Sequence, residues 1–309
     1  MKQKLLQAAM VLIFLCGLGV FLYPKITEWY AAEGQQRAME EFKEVVLAKE
    51  AETLQADGDS SEDRIDENFR QNLEQLYQDM QEYNERIYRE GQENLKDPFD
   101  YENPSFDLTE YGFEKNVIGI IHIPAMEVEL PLYLGANTEN MKKGAVIMGE
   151  TSMPLGGENT NVVVAAHRGY QGTPMFREIE ILQPGDKIEV TTPFEILTYQ
   201  VTETKVVLPN EINEILIEEG KDKITLLTCH PYTQNTHRYL VYGERCENME
   251  ESSEQEQTPK VTQTEAIEQP EEKSVSDKQI WLETYVPLVG VGVILLLIVC
   301  GVLLTRKRK

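Results

Sequence analysis

Hydrophobic and polar positions divide the chain into four kinds of pattern. Residues 5–23 form an apolar run of 19 residues without a charge, and residues 286–305 form a second uncharged run. Between residues 35 and 93 the apolar positions follow helical spacing. Ile65, Phe69, Leu73, Leu76, Met80, Tyr83 and Ile87 recur in steps of three and four, which draws one stripe down one helix. "DGDSSED" at 57–63 breaks this region in two, with Ser60 or Ser61 as the N-cap of the second helix. From residue 116 the pattern becomes that of short β-branched runs between Pro, Gly and Asn. Eight such runs are expected as strands: 117–124, 128–135, 144–149, 161–167, 186–192, 194–209, 223–229 and 238–245. A short helix is expected over 173–182. Residues 247–278 are rich in Glu, Gln, Ser and Thr, carry few large apolar side chains and read as a flexible linker.

The expected fold is therefore mainly β. Eight strands within about 130 residues make a closed barrel or a sandwich, preceded by a helical region, with membrane segments at both ends. The domain reading is 1–24 as an N-terminal transmembrane segment or signal anchor, 25–96 as an extracellular helical region and 97–113 as a connecting segment. Residues 114–246 form the β domain, 247–281 the acidic linker, and 282–309 a C-terminal transmembrane anchor with a basic tail.

Charge sharpens this picture. The formal net charge is −24, which excludes the basic face that nucleic-acid binding needs. Lys2 and Lys4 precede every acidic residue, and Arg306, Lys307, Arg308 and Lys309 follow the last one. Basic flanks stay on the cytoplasmic side of a membrane. Both termini are thus expected inside, the acidic middle outside, and membrane lipid around the two runs. A signal peptide cut near Ala31–Ala32 is the alternative for the first run. An uncleaved anchor is favoured because no small-x-small site directly follows the apolar core. Of the four cysteines only Cys229 and Cys246 lie outside these runs, too few for a disulfide scaffold.

Cys229 closes the apolar run "KITLLTC", Pro231 takes the chain out of the sheet, and Arg238 opens the next run. A plain reading makes Cys229 a small buried hydrophobe. If the two runs pair as a hairpin, Arg238 stands beside the thiol, where a guanidinium favours the thiolate and can donate to an oxyanion. His167 ends "NVVVAAH" and could move the protons that a cysteine nucleophile requires. His230 and His237 are rivals by proximity, although each adjoins Cys229 or Arg238 and so points to the other side of an extended chain. His122 lies mid-strand and reads as structural. A zinc site from Cys229, His230, His237 and His167 matches no usual spacing, and no metal or cofactor is expected. No phosphate loop, H-E-x-x-H or calcium loop is present.

"TLLTC" (225–229), followed by Pro231 and by Arg238 nine residues on, resembles the TLxTC…R motif of sortases, and "AAHRG" (165–169) resembles the segment that carries their histidine. The resemblance implies an eight-stranded sortase-type β-barrel. It implies Cys229 as nucleophile, His167 as general acid/base and Arg238 as the oxyanion or substrate-positioning residue. "LKDPFDYENPSF" (95–106) resembles the lid of class C, pilus-building sortases, which makes 97–113 an expected lid segment carrying Asp97, Pro98 and Phe99, and 114–246 the catalytic barrel domain; the plain alternative is a connecting turn. The implied activity is transpeptidation. An LPXTG-like sorting signal is cleaved between Thr and Gly through a thioester, and the acyl group passes to a pilin lysine or a cell-wall cross-bridge. The implied partners are LPXTG-bearing pilins or surface proteins and that amine acceptor. A membrane-anchored cysteine hydrolase of the same fold and a non-catalytic surface protein are the competing readings. No LPXTG-like pentapeptide precedes residues 286–305, which counts against the latter.

Overall fold

A computed structural model describes residues 2–53, 61–97, 99, 104–170 and 172–246, together with 275–276, 278–282, 284–286, 289–290 and 292. Two long helices, α1 (Lys2–Thr53) and α2 (Ser61–Glu90), lead into eight strands. These are β1 (Val117–Ile123), β2 (Val128–Leu134), β3 (Ala145–Ile147), β4 (Thr160–Ala165), β5 (Lys187–Thr191), β6 (Ile196–Val207), β7 (Asp222–His230) and β8 (His237–Arg245), with a short helix α3 (Thr138–Lys143) before β3. All eight expected runs form strands. They close into a barrel in the order β1-β2-β3-β4-β7-β8-β6-β5. β2–β3 and β4–β7 pair in parallel and the other neighbours are antiparallel. Closure leaves no open sheet edge, so every strand can bury apolar side chains inside. Gly119 sits at the irregularity in the β1–β2 register. A Cβ there would lie 2.4 Å from the Thr191 carbonyl of β5, so only glycine allows β1 and β5 to approach.

The helical stripe of α2 is its buried face. Leu73, Leu76, Met80, Tyr83 and Ile87 join one core with the barrel, and Phe69 packs on Phe113 with ring centroids 5.8 Å apart. The Ile65 side chain lies outside the described residues. Polar side chains then fix α2 on the barrel loops. Asn84 accepts from Met153 N at 2.7 Å and donates to Met153 O at 3.1 Å. Gln92, just past the helix, donates to Glu150 O and accepts from Ile217 N, each at 2.7 Å. Leu95 is buried, so the chain reaches Asp97 from two anchored points.

One expectation needs correction. Residues 173–182 do not form a helix beyond one 3-10 turn, Ile179–Ile181. Pro174 lacks the N–H, Met175 holds φ at +44°, and Thr173 bridges back to Tyr170, so the chain turns before it can coil. Among the described residues no helix is long and apolar enough to cross a membrane, so the described fold does not supply the expected membrane segments. Most of 286–305, and the side chains of much of 5–23, lie outside the described residues. So do Pro98, residues 57–60 of the expected break and most of the 247–281 linker.

Candidate active site

β7 sits between β4 and β8, and this sets the site. The β7–β8 register pairs Cys229 directly with Arg238. Residues opposite each other on neighbouring strands point to the same face, so the thiol and the guanidinium are side-by-side neighbours. On the other flank Ala165 pairs with Leu227 in parallel. The β4 chain runs on beside β7, with Ala166 N donating to Leu227 O and Thr228 Oγ1 donating to Ala166 O at 2.7 Å. Two residues further along both strands, that register carries His167 to the level of Cys229. Side chains alternate, so His167 falls on the face of Ala165 and Cys229 on the face of Leu227.

The site is closed by residues from outside the barrel. Asp97 accepts from Arg238 Nε at 2.8 Å and from Nη2 at 3.1 Å, a two-pronged contact in which each side chain is 11% exposed. Arg238 Nη1 donates to the carbonyls of Asn235 and His237 at 3.2 and 3.0 Å. Every nitrogen of this guanidinium is therefore engaged. The Phe99 ring lies 4.8 Å from Arg238 Cζ and 5.7 Å from the His167 ring, bridging the residues on either side of Cys229. Tyr170 also stacks on the His167 ring, with centroids 4.9 Å apart. Val207, Pro209, Ile212, Ile215, Leu227 and Leu240 line a small apolar cavity against Asp97 and Arg238.

Cys229 is 8% exposed. Burial pushes its thiol above the usual range and Asp97 adds to this, while Arg238 and Arg168 pull the other way. Burial also lowers the His167 pKa. With Asp97 in place, both groups are held towards their neutral forms.

The other histidines lie elsewhere. His230 is on the opposite face of β7, its ring 5.6 Å from Tyr239. His237 pairs with His230 at the hairpin base and its Nδ1 contacts Thr236 Oγ1 at 2.9 Å. His122 is exposed and reaches Glu189 of β5 at 3.1 Å. Cys246 stands past β8, its thiol 3.5 Å from Thr198 O. Among the described residues no three His, Cys, Asp or Glu side chains are grouped to hold a metal ion.

One cluster escaped the sequence reading. Arg168 and His230, the residues that follow His167 and Cys229, meet Glu180 behind the site. Adjacency to two candidate residues was the only available signal, and Glu180 carried none.

The sortase domain family matches residues 121–246. Sortase A of Listeria monocytogenes is 34% identical over 160 residues, covering 49% of this chain and 70% of that protein. Two further curated relatives are matched over only 63% and 60% of their own length. In structure, sortase C1 of GBS pilus island 1 superimposes with a TM-score of 0.56 at 29% identity, over 72% of this chain and 96% of that one. Streptococcus pneumoniae sortase C gives 0.53 at 31% identity, over 68% and 97%. A barrel of this strand order, a strand-tip cysteine paired with an arginine and these likenesses have one common explanation: the chain belongs to the sortase family, with class C sortases among its structural neighbours.

Proposed function

We propose that the protein is a cysteine transpeptidase that cleaves an LPXTG-like sorting signal between Thr and Gly and transfers the acyl group to an amine. The observation that carries this reading is the in-register pair Cys229–Arg238 at one end of the barrel. The Cys229 thiol passes its proton to His167 as its sulfur attacks the Thr carbonyl carbon. The tetrahedral oxyanion draws on Arg238 once Asp97 has left it. Collapse breaks the C–N bond, and the glycine-side amine departs with a proton from the His167 imidazolium, leaving a thioester on Cys229. An incoming amine gives its proton to His167, attacks the thioester and restores the thiol. Covalent catalysis thus divides one difficult exchange into two easier ones. Val207, Ile212 and Ile215 beside Arg238 offer apolar contacts to such a signal once Asp97 has left.

Asp97 and Phe99 act in this reading as a lid that occupies the substrate's place. The pilus role and the pilin lysine as acceptor follow from the likeness to class C sortases. The apolar runs at 5–23 and 286–305, with their basic flanks, support anchoring at a Gram-positive-type cell membrane with both termini cytoplasmic and the catalytic barrel outside. The test is incubation with an LPXTG peptide, with and without an amine acceptor. A Cys229 acyl-enzyme trapped by mass spectrometry, resolved faster by amine than by water, is expected. Faster resolution by water favours the hydrolase reading. No acyl-enzyme at all in a lid-opened variant overturns the proposal.

A further inference from the structure

Behind the site, on the opposite face of β7 from Cys229, lies a second charged group. Arg168 Nη2 is 2.6 Å from Glu180 Oε1, and His230 Nδ1 is 2.8 Å from the same oxygen. Arg168 Nη1 also lies 3.0 Å from His230 Nδ1. The Arg168 side chain is only 3% exposed, against 25% for Glu180 and 23% for His230. A charge so far from water persists only with a partner close by. Glu180 supplies it from the 3-10 turn Ile179–Ile181.

The placement gives this group a purpose beyond holding a loop. Arg168 is the next residue after His167 and His230 the next after Cys229. No strand pairing extends beyond Ala165 on β4: Ala166 still bonds to Leu227 and Thr228, but His167 gives its carbonyl to Phe176 N and not to β7. The ion network supplies a tie between that backbone and the tip of β7. It also holds the Arg168 guanidinium against His230, the chain neighbour of Cys229. The charged and titratable groups around Cys229 are Arg238 and Asp97 from the front, His167 on the flank, and Arg168 from behind. Each guanidinium carries a carboxylate. Asp97 stands outside the barrel and can depart, whereas Glu180 is fixed within it.

We propose that Arg168 is a positioning residue for the reaction, locked by Glu180 and His230 so that the Arg168–Glu180 network fastens the segment bearing His167 to the strand bearing Cys229 and sets the charge felt by the thiol from behind. The inference rests on the reading of Cys229 as nucleophile and His167 as its proton carrier. Its chief readout does not require transpeptidation.

That readout is the pH dependence of Cys229 alkylation in the full-length protein, followed on the Cys229 peptide by mass spectrometry. Arg168→Gln removes the rear cation, and the alkylation midpoint moves to higher pH. Glu180→Gln removes the neutralising carboxylate, and the midpoint moves to lower pH. Arg168→Lys keeps the charge, and its midpoint stays near that of the wild type. In peptide turnover both glutamine variants lower kcat by about tenfold with KM little changed, since proton transfer depends on the spacing they loosen. A merely structural network would shift both midpoints the same way, or neither, and that result overturns the proposal. If Arg168→Gln does not fold, an unmoved midpoint in folded Glu180→Gln overturns it alone. Opposite shifts in a protein that cleaves no sorting peptide would leave the inference standing and remove the substrate reading.

Discussion

The lid reading makes a quantitative demand on Asp97 and Phe99. Asp97 grips Arg238 through two charge-assisted hydrogen bonds at 2.8 and 3.1 Å, with both side chains nearly out of water. Such a contact contributes about 2 kcal/mol net, and the Phe99 ring against Arg238 about 1 kcal/mol more. Ordering even one residue of the segment offsets about 1 kcal/mol, so closure is favoured by at most about 2 kcal/mol. That corresponds to an open fraction of roughly 3% or more, and thiol reactivity through the open form is reduced by the same factor. The double variant Asp97→Ala/Phe99→Ala should therefore alkylate at Cys229 up to about 30-fold faster with a small methanethiosulfonate reagent. Loss of Asp97 also removes an influence that raises the thiol pKa, so the change at neutral pH adds in the same direction. Cys246, past the opposite end of β8 from Arg238 and against Thr198, serves as an internal control and should not change. Peptide turnover should rise in parallel. A less than about twofold change at Cys229, in a variant with unaltered circular dichroism, would refute the argument and leave 97–99 as a connecting turn.

Three further outcomes follow from the same geometry. Cys229→Ala should abolish acyl-enzyme formation while Cys246→Ala leaves it intact, checked by mass spectrometry after peptide incubation; wild-type turnover in Cys229→Ala would make the thiol structural. His167→Ala and Arg238→Ala should each lower kcat/KM by about 10² or more, whereas His237→Ala should not, and a silent His167→Ala would mean that the wrong histidine was chosen. Asn84→Ala strands the N–H of buried Met153, whose carbonyl still accepts from Leu155 N, so thermal or urea unfolding should show a loss of about 1–3 kcal/mol.

The barrel was legible because each strand is a short β-branched run cut off by Pro, Gly or Asn, and a closed barrel buries such runs without needing longer signals. The α2 stripe was legible for the same kind of reason: its period is the period of the buried face. The 173–182 segment misled because its apolar residues sit at helical spacing. The backbone there obeys Pro174 and the left-handed Met175 instead. Spacing reports which residues want to be buried, not whether the dihedral angles between them permit a helix.

Within the site, legibility tracks sequence separation. Cys229 and Arg238 lie on one hairpin, so the position of Pro231 and the two apolar runs nearly dictated their pairing. Asp97 and Arg238 are 141 residues apart, and only the resemblance gave 97–99 a place near the site. Arg168, Glu180 and His230 come from a β4 extension, a 3-10 turn and a strand tip, none of which announces a charge pair. Both carboxylates meet a guanidinium near the same thiol, yet their attachments differ in kind. Asp97 lies on a chain anchored upstream at Gln92 and Leu95, so it can swing from the barrel without breaking a strand. Glu180 belongs to a turn packed into the core through Ile179, so releasing Arg168 would cost part of that core. In this reading the front carboxylate gates access and the rear one holds geometry, because the gate must be the contact whose loss leaves the fold intact.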